Sequence, residues 1–454
     1  MKQLKRCGIV IGRLVIVTVV LLFILNMIFS IQVRKILNKM KQEGRPMSLA
    51  PLLPPTVADQ DNAATFYNQA FVLMTEPKDP YVPNRKGGTV IPTVAEIEQL
   101  KSFTDENTWT PEQKNRIPAL VNSPEMRRIY DLLAVGSQKT ICNFHRDYDR
   151  GFAMLMPELS MMRRATRLLT VRALVETQSG RTGQACDTLL LGFHMAGHLQ
   201  TEPILISQLV RVACDAILAR EIESIASVNS LPREKTEPLI RELAERNDDG
   251  FSRALDAERI IATRMFLQRS ALAPAFEAGG DETKGLFKFL PGPLGIAWTP
   301  FLKKDCVCYL QLMDEMTVAG RLPYYAIPAR QKDPTAFERR IPKYCVLTRL
   351  LLPALFRIQE NTAAHQATVD LAVAGLGLNL HRSAHGGYPA TLGEVTADVP
   401  QHCLIDPFTG REFVYRQSGQ GFLLYSLGPN LKDDNGHRKE KMETDYDIVW
   451  EARK

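Results

Sequence analysis

The chain has 454 residues, 56 Lys and Arg against 50 Asp and Glu, and a formal net charge of +6. Residues 1–45 alone hold nine of those cations and one acid, net +8, so the rest of the chain carries −2. The basic balance belongs to the N-terminus, which excludes the clustered positive charge on a folded part that a nucleic-acid surface needs.

Leu14 to Ile31 is an almost uninterrupted apolar run, lengthened to Gly8 if Arg13 snorkels to the headgroups. At about 1.5 Å rise per residue a helix of this length crosses a bilayer core of about 30 Å. The run exceeds the roughly 7 to 15 apolar residues of a secretory signal, and Asn26-Met27-Ile28-Phe29-Ser30 offers no small-residue cleavage pattern. Residues 1–33 therefore read as an uncleaved single-pass anchor, with the lipid bilayer as partner. Lys2, Lys5 and Arg6 flank one side; Arg34, Lys35, Lys39, Lys41 and Arg45 flank the other. Charge alone leaves the orientation open, while membrane headgroups suit these cations. Residues 34–58 read as a basic, then Pro-rich stalk, since Gly44 to Pro55 cannot sustain a helix.

Residues 59–342 read as an irregular domain of helical hairpins. Asn62-Ala63-Ala64 starts a helix, and apolar residues step by three or four along Met126, Ile129, Leu132, Leu133 and along Leu155, Leu159, Met162, Ala165, Leu169, Ala173. Gln178 to Ala185 is a tight turn, and Ala173, Gly180, Ala185 and Leu189 resemble half of a tetratricopeptide pattern, with no second copy at the required period. Pro203 and Pro232 lie near the starts of further helices. Residues 273–299, richer in Gly and Pro, read as a loop or lid. His194 and His198, four apart on a helix, are the one metal-like pair, but no Glu follows the first His as a metalloprotease helix requires. The eight cysteines, Cys7, Cys142, Cys186, Cys214, Cys306, Cys308, Cys345 and Cys403, form no disulfide framework. Cys306-Val307-Cys308 is a weak metal or redox signal.

Residues 343–454 read as a long helix, which Pro353 kinks or begins, and a small β head. Punctuation follows in order: His385-Gly386-Gly387-Tyr388-Pro389, Asp406-Pro407-Phe408-Thr409-Gly410, Tyr425-Ser426-Leu427-Gly428-Pro429-Asn430 and Asp445-Tyr446-Asp447-Ile448. Phe413-Val414-Tyr415 and Gly421 to Tyr425 read as two strands of a hairpin joined by Arg416 to Gln420. In that order the segments resemble the head of the major pseudopilin of type II secretion, protein G: helical spine, G-x-Y-P turn, D-P-x-G turn, Y-S-L-G strand and a D-x-D-I close, over about residues 355 to 450. More loosely, the whole chain resembles uncharacterised bacterial membrane-anchored proteins that end in such a head. A processed pilin begins with a basic leader, a Gly-Phe cleavage point and an early Glu. Here Lys5-Arg6-Cys7-Gly8-Ile9 stands instead, so the head is expected on a different kind of membrane protein.

The resemblance implies a calcium site made by the carbonyl of Leu427, the side chain of Asn430 and the carboxylates of Asp445 and Asp447, with Asp433 and Asp434 near by. Such hard oxygen donors suit Ca²⁺. It also implies a place at the bacterial inner membrane with the bulk of the chain outside the cytoplasm. The fold expected is mainly α: a transmembrane helix, an irregular helical-hairpin domain and a small α+β pseudopilin-like head, with each folded part holding its own core. The function expected is a non-catalytic interaction or scaffold module with protein partners in the cell envelope. The alternative is an envelope metal-dependent hydrolase using a cleft of the helical domain and His194 with His198.

Overall fold

The computed structural model describes residues 2–74, 111–246, 249–268, 293–320, 322–328, 332–438 and 446–452. Helix α1 (Lys2–Gln42) is unbroken. Its stretch from Val10 reaches a mean hydropathy of 2.9 and is not buried by the rest of the protein, so α1 is long and apolar enough to cross a membrane.

The helix does not stop where the apolar run ends. Val33, Ile36, Leu37 and Met40 repeat at helical spacing among the cations, and they pack into the body, with Val33 and Met40 buried. The stalk expected from residue 34 is thus helical to Gln42 and seated on the body, because this short apolar stripe outweighs its basic neighbours. Beyond it the Pro-rich segment also lies against the body. Arg45 is buried and pairs with Asp314 at 2.7 Å, and the carbonyls of Pro54 and Pro55 accept from Asn143 Nδ2.

The body is built from α2 (Ala63–Met74), α3 (Pro111–Val121), α4 (Pro124–Ser137), α5 (Pro157–Gln178), α6 (Thr182–Gly197), α7 (Leu205–Val228), α8 (Arg233–Ala244), α9 (Asp249–Leu267), α10 (Pro293–Ala319), α11 (Pro334–Arg339) and α12 (Val346–Phe356). Local signals explain several starts. Asn62 Oδ1 accepts from the amides of Ala64 and Asn143, and Ser123 caps α4 through Met126 N–H. Helices α5 and α6 form a hairpin across Gly180, whose φ of +72° suits the glycine. Of the expected lid, residues 293–299 belong to α10, and residues 273–292 lie outside the described residues.

Helix α13 (Ile358–His385) is the expected spine. It is separated from α12 at Arg357, four residues beyond Pro353. From Ala367 to Leu380 it is buried almost all round, a pattern that requires packing on both sides. One side meets α7 and α8; the other meets the sheet. The sheet has order β1-β2-β3, all antiparallel: β1 (Val414–Ser418), β2 (Gly421–Ser426) and β3 (Ile448–Ala452). Gly375 lets Trp450 of β3 lie against the helix, since a Cβ there would fall 2.3 Å from the indole. A single hydrophobic core therefore runs from α6, α7 and α8 through α13 into the sheet, and the boundary expected between residues 342 and 343 has a shared core across it.

Candidate functional site

The head's punctuation has a clear physical role. Gly386, at φ +80°, ends α13, its N–H donating to the Arg382 carbonyl. Tyr388 then packs edge-on against Phe422, and the Pro389 carbonyl accepts from Tyr415 Oη at 2.8 Å. In the next turn Asp406 is buried. Its Oδ1 accepts from Phe408 N–H and Ser426 Oγ, and its Oδ2 from Leu427 N–H at 3.2 Å. This carboxylate locks the turn from Asp406 to Gly410 to the end of β2, and burial raises its pKa against those hydrogen bonds.

The acidic loop follows directly. Gly428 has φ +65°, and a Cβ there would lie 2.9 Å from the Tyr446 carbonyl, so the two ends of the loop are held together by a glycine. Asp433 is committed: it accepts from Tyr425 Oη at 2.8 Å, from Asn435 N–H and from Arg416. Asn430 donates to Asp434 at 2.7 Å and accepts from Lys432 N–H. Asp447 is buried. Its Oδ2 accepts from Gly436 N–H at 2.7 Å, while its Oδ1 has no hydrogen-bond partner among the described residues. Burial raises the Asp447 pKa, and Asp434 and Asp433 add to the rise against the hydrogen bonds of Gly436 and Asp434.

Of the four residues expected to hold a cation, Asn430 and Asp447 are thus gathered around Asp434. Leu427 stands at the mouth of the loop with its N–H on Asp406, and Asp445 lies outside the described residues. The buried Asp447 oxygen without a partner and its like-charged neighbour fit a hard cation. Asp434, expected near by, is the carboxylate that Asn430 meets and that lies beside Asp447. Among the described residues no group of three or more His, Cys, Asp or Glu is arranged as a metal site.

His194 and His198 are drawn to different partners. His198 uses both ring nitrogens, Nδ1 with Tyr67 Oη at 2.8 Å and Nε2 with the Lys139 carbonyl at 2.6 Å, and burial lowers its pKa. His194 Nε2 faces Glu242 at 3.2 Å on the surface. The two rings of the pair expected for a hydrolase thus have separate partners: helical spacing aligns the two Cβ atoms, but tertiary partners turn the rings.

The body holds buried charge that sequence reading did not single out. Asp215 of α7 meets Arg246 at 2.8 Å and His365 of α13 at 2.9 Å, with Arg211 at 3.9 Å. Burial would raise its pKa, but Arg246 first, then His365 and Arg211, hold it below the ordinary value. Near by, Glu223 of α7 accepts from Arg438 and from the Glu451 N–H of β3, and Asn379 of α13 bonds Leu231 N–H and the carbonyls of Ala226 and Asn229. These groups tie head to body. Each looks in sequence like an ordinary helix residue, and only its distant partner gives it a role.

A cavity of about 950 Å³ lies between the Pro-rich segment, residues 146–152 and α9. At its wall Arg146 bridges Glu158 at 2.7 Å and Glu202 at 3.3 Å, and Tyr148 donates to Glu202 at 3.1 Å. With its guanidinium between two carboxylates, Arg146 joins residues 146–148 to α5 and to the start of α7. Comparison of the chain with family models, curated proteins and solved structures gives no match.

Proposed function

We propose that the chain is a single-pass membrane-anchored scaffold of the bacterial inner membrane, its helical body and pseudopilin-like head forming one unit outside the cytoplasm that binds protein partners of the envelope. The observation that carries the anchor is the contrast within α1. Its large apolar side chains from Val10 to Ile31 are mostly exposed, whereas from Val33 the same helix is packed on the body. Water would make that apolar length costly to expose, and lipid would not. A rigid helix shared by anchor and body transmits position, which suits a scaffold. The order of turns in the head supports the pseudopilin-like reading, and with it a calcium ion held by Asp447, Asp434 and Asn430 that orders the acidic loop.

The anchor is tested by fractionation. The full chain is expected to remain in the membrane pellet after an alkaline carbonate wash, and the chain lacking residues 2–31 to leave it. Release of the full chain into the wash would contradict the reading.

A further inference from the structure

The apolar run of α1 does not end in open space. Ser30 Oγ accepts from Lys303 Nζ at 2.8 Å, and Lys304 Nζ lies 5.7 Å from the Phe29 ring centroid and 4.4 Å from that of Tyr344. Lys303 and Lys304, past the second turn of α10, are thereby fixed at the height of the last turn of the apolar run. Helix α12 is fixed there too. Buried Asp305 of α10 accepts from the amides of Leu347 and Thr348 and from Thr348 Oγ1, so the N-terminus of α12 is clamped to α10.

What α12 then turns outward is unusual for a water-facing helix. Tyr344 is 55% exposed, Val346 45% and Leu350 58%, and Val346, Arg349, Leu350 and Arg357 recur at spacings that place them on one helix face. A basic and aromatic rim around an aliphatic centre is the composition that settles at the boundary between headgroups and acyl chains. A stray apolar face could serve a protein instead, but this one abuts the end of the proposed span through Lys304 and Phe29.

We propose that this face of α12, with Lys304 and Tyr344, is a docking surface for anionic phospholipid headgroups that seats the body on the bilayer. The proposal rests on the anchor reading above. Docking fixes the tilt of the body, because the span and α12 then hold the same rigid core at two points. Val346 and Leu350 enter the boundary between headgroups and chains, while Lys304 and Arg349 meet lipid phosphates. Juxtamembrane cations gain from an anionic surface and lose that gain in salt.

The test uses the full chain in vesicles of phosphatidylcholine alone, or of phosphatidylcholine and phosphatidylglycerol in equal amounts, each with brominated acyl chains as quencher. A genetically encoded fluorescent residue replaces Val20, Leu350 or Val228 in turn. Quenching is expected at the Val20 and Leu350 positions and not at Val228, and at Leu350 it should be stronger in the anionic vesicles. Lys304→Gln and Arg349→Gln should each lower the docked-to-undocked ratio about fivefold in anionic vesicles. Quenching at Val20 with none at Leu350 in either vesicle would overturn the docking surface and leave the anchor standing. Quenching at Leu350 that is equal in both vesicles and untouched by the two substitutions would overturn the anionic headgroup as ligand. No quenching at Val20 would overturn the anchor, and docking with it. Leu350→Glu, at an exposed position, gives a second undocking variant whose circular dichroism reports that the fold is intact.

Discussion

Glu221 of α7 is fully buried, and neither of its oxygens has a hydrogen-bond partner among the described residues. Burial pushes its pKa from the ordinary 4.5 up to about 8. In the unfolded chain it ionises near 4.5; in the folded chain it stays protonated to about 8. The folded state then binds the extra proton between those values. Its contribution is complete below pH 4.5, falls by about 1.4 kcal/mol per pH unit above it, and levels off beyond about 8. Glu221→Gln keeps the shape and removes the titration. Thermal unfolding is expected to give a higher midpoint for the variant at pH 8 and no difference at pH 4.5. Equal midpoints at both would show that Glu221 titrates in the folded chain as it does in the unfolded one. Glu258, raised by burial to about 7, acts with the same sign over a narrower window. Asp215 acts with the opposite sign: Arg246, His365 and Arg211 outweigh its burial and depress its pKa, so its contribution is present above the ordinary value of 3.8 and lost as pH falls below it.

Among the elements, the segment after β2 that carries Asn430, Asp434 and Asp447 is where the proposed calcium ion would act. Asp447 beside Asp434 costs the loop both desolvation and repulsion, and a bound cation offsets both. Calcium at ten times its dissociation constant would add about 1.4 kcal/mol by mass action. The thermal midpoint of the full chain is expected to rise with millimolar calcium over chelator, and Asp447→Asn to abolish the rise while leaving the chelated protein at least as stable. An unchanged wild-type midpoint would remove the ion; a rise that survives the substitution would move it to other ligands.

The same elements show how far sequence reads structure. The turns at Gly386, Asp406 and Gly428 were legible because each is a local cap or clamp with its partners mostly a few residues away. The hairpin was legible from the turn residues within Arg416 to Gln420, though β1 runs on to Ser418 and leaves only Gly419 and Gln420 to the turn. Strand β3 was missed: Ile448, Trp450 and Ala452 alternate correctly, but the segment is short and follows a polar loop. The packed part of α1 was missed because the stripe of Val33, Ile36, Leu37 and Met40 is interleaved with the cations that suggested a stalk. Asn379, Glu223 and Asp215 carried no local signal at all.

At the scale of the whole molecule, the shared core changes what a fragment can do. Independent cores would make residues 59–342 soluble and strongly helical. With α13 removed, however, Ile222, Ile225, Leu239 and Leu243 lose the cover that the common core gives them, and Asp215 loses His365. The fragment is expected to aggregate or to unfold without cooperativity, and restoring residues 343–454 to cure it. A soluble fragment with a sharp transition would show that the head is an appendage. Because body, α13 and the packed part of α1 form one unit, every part beyond the span should lie on the same side of the membrane.

The side of the membrane on which body and head lie can be measured directly with a reporter fused after Lys454 of the full chain in a bacterial host. Activity from an enzyme that folds only outside the cytoplasm, and none from one that works only inside, is the result expected of an envelope scaffold anchored by α1. The reverse pattern would place body and head in the cytoplasm and contradict the proposed function.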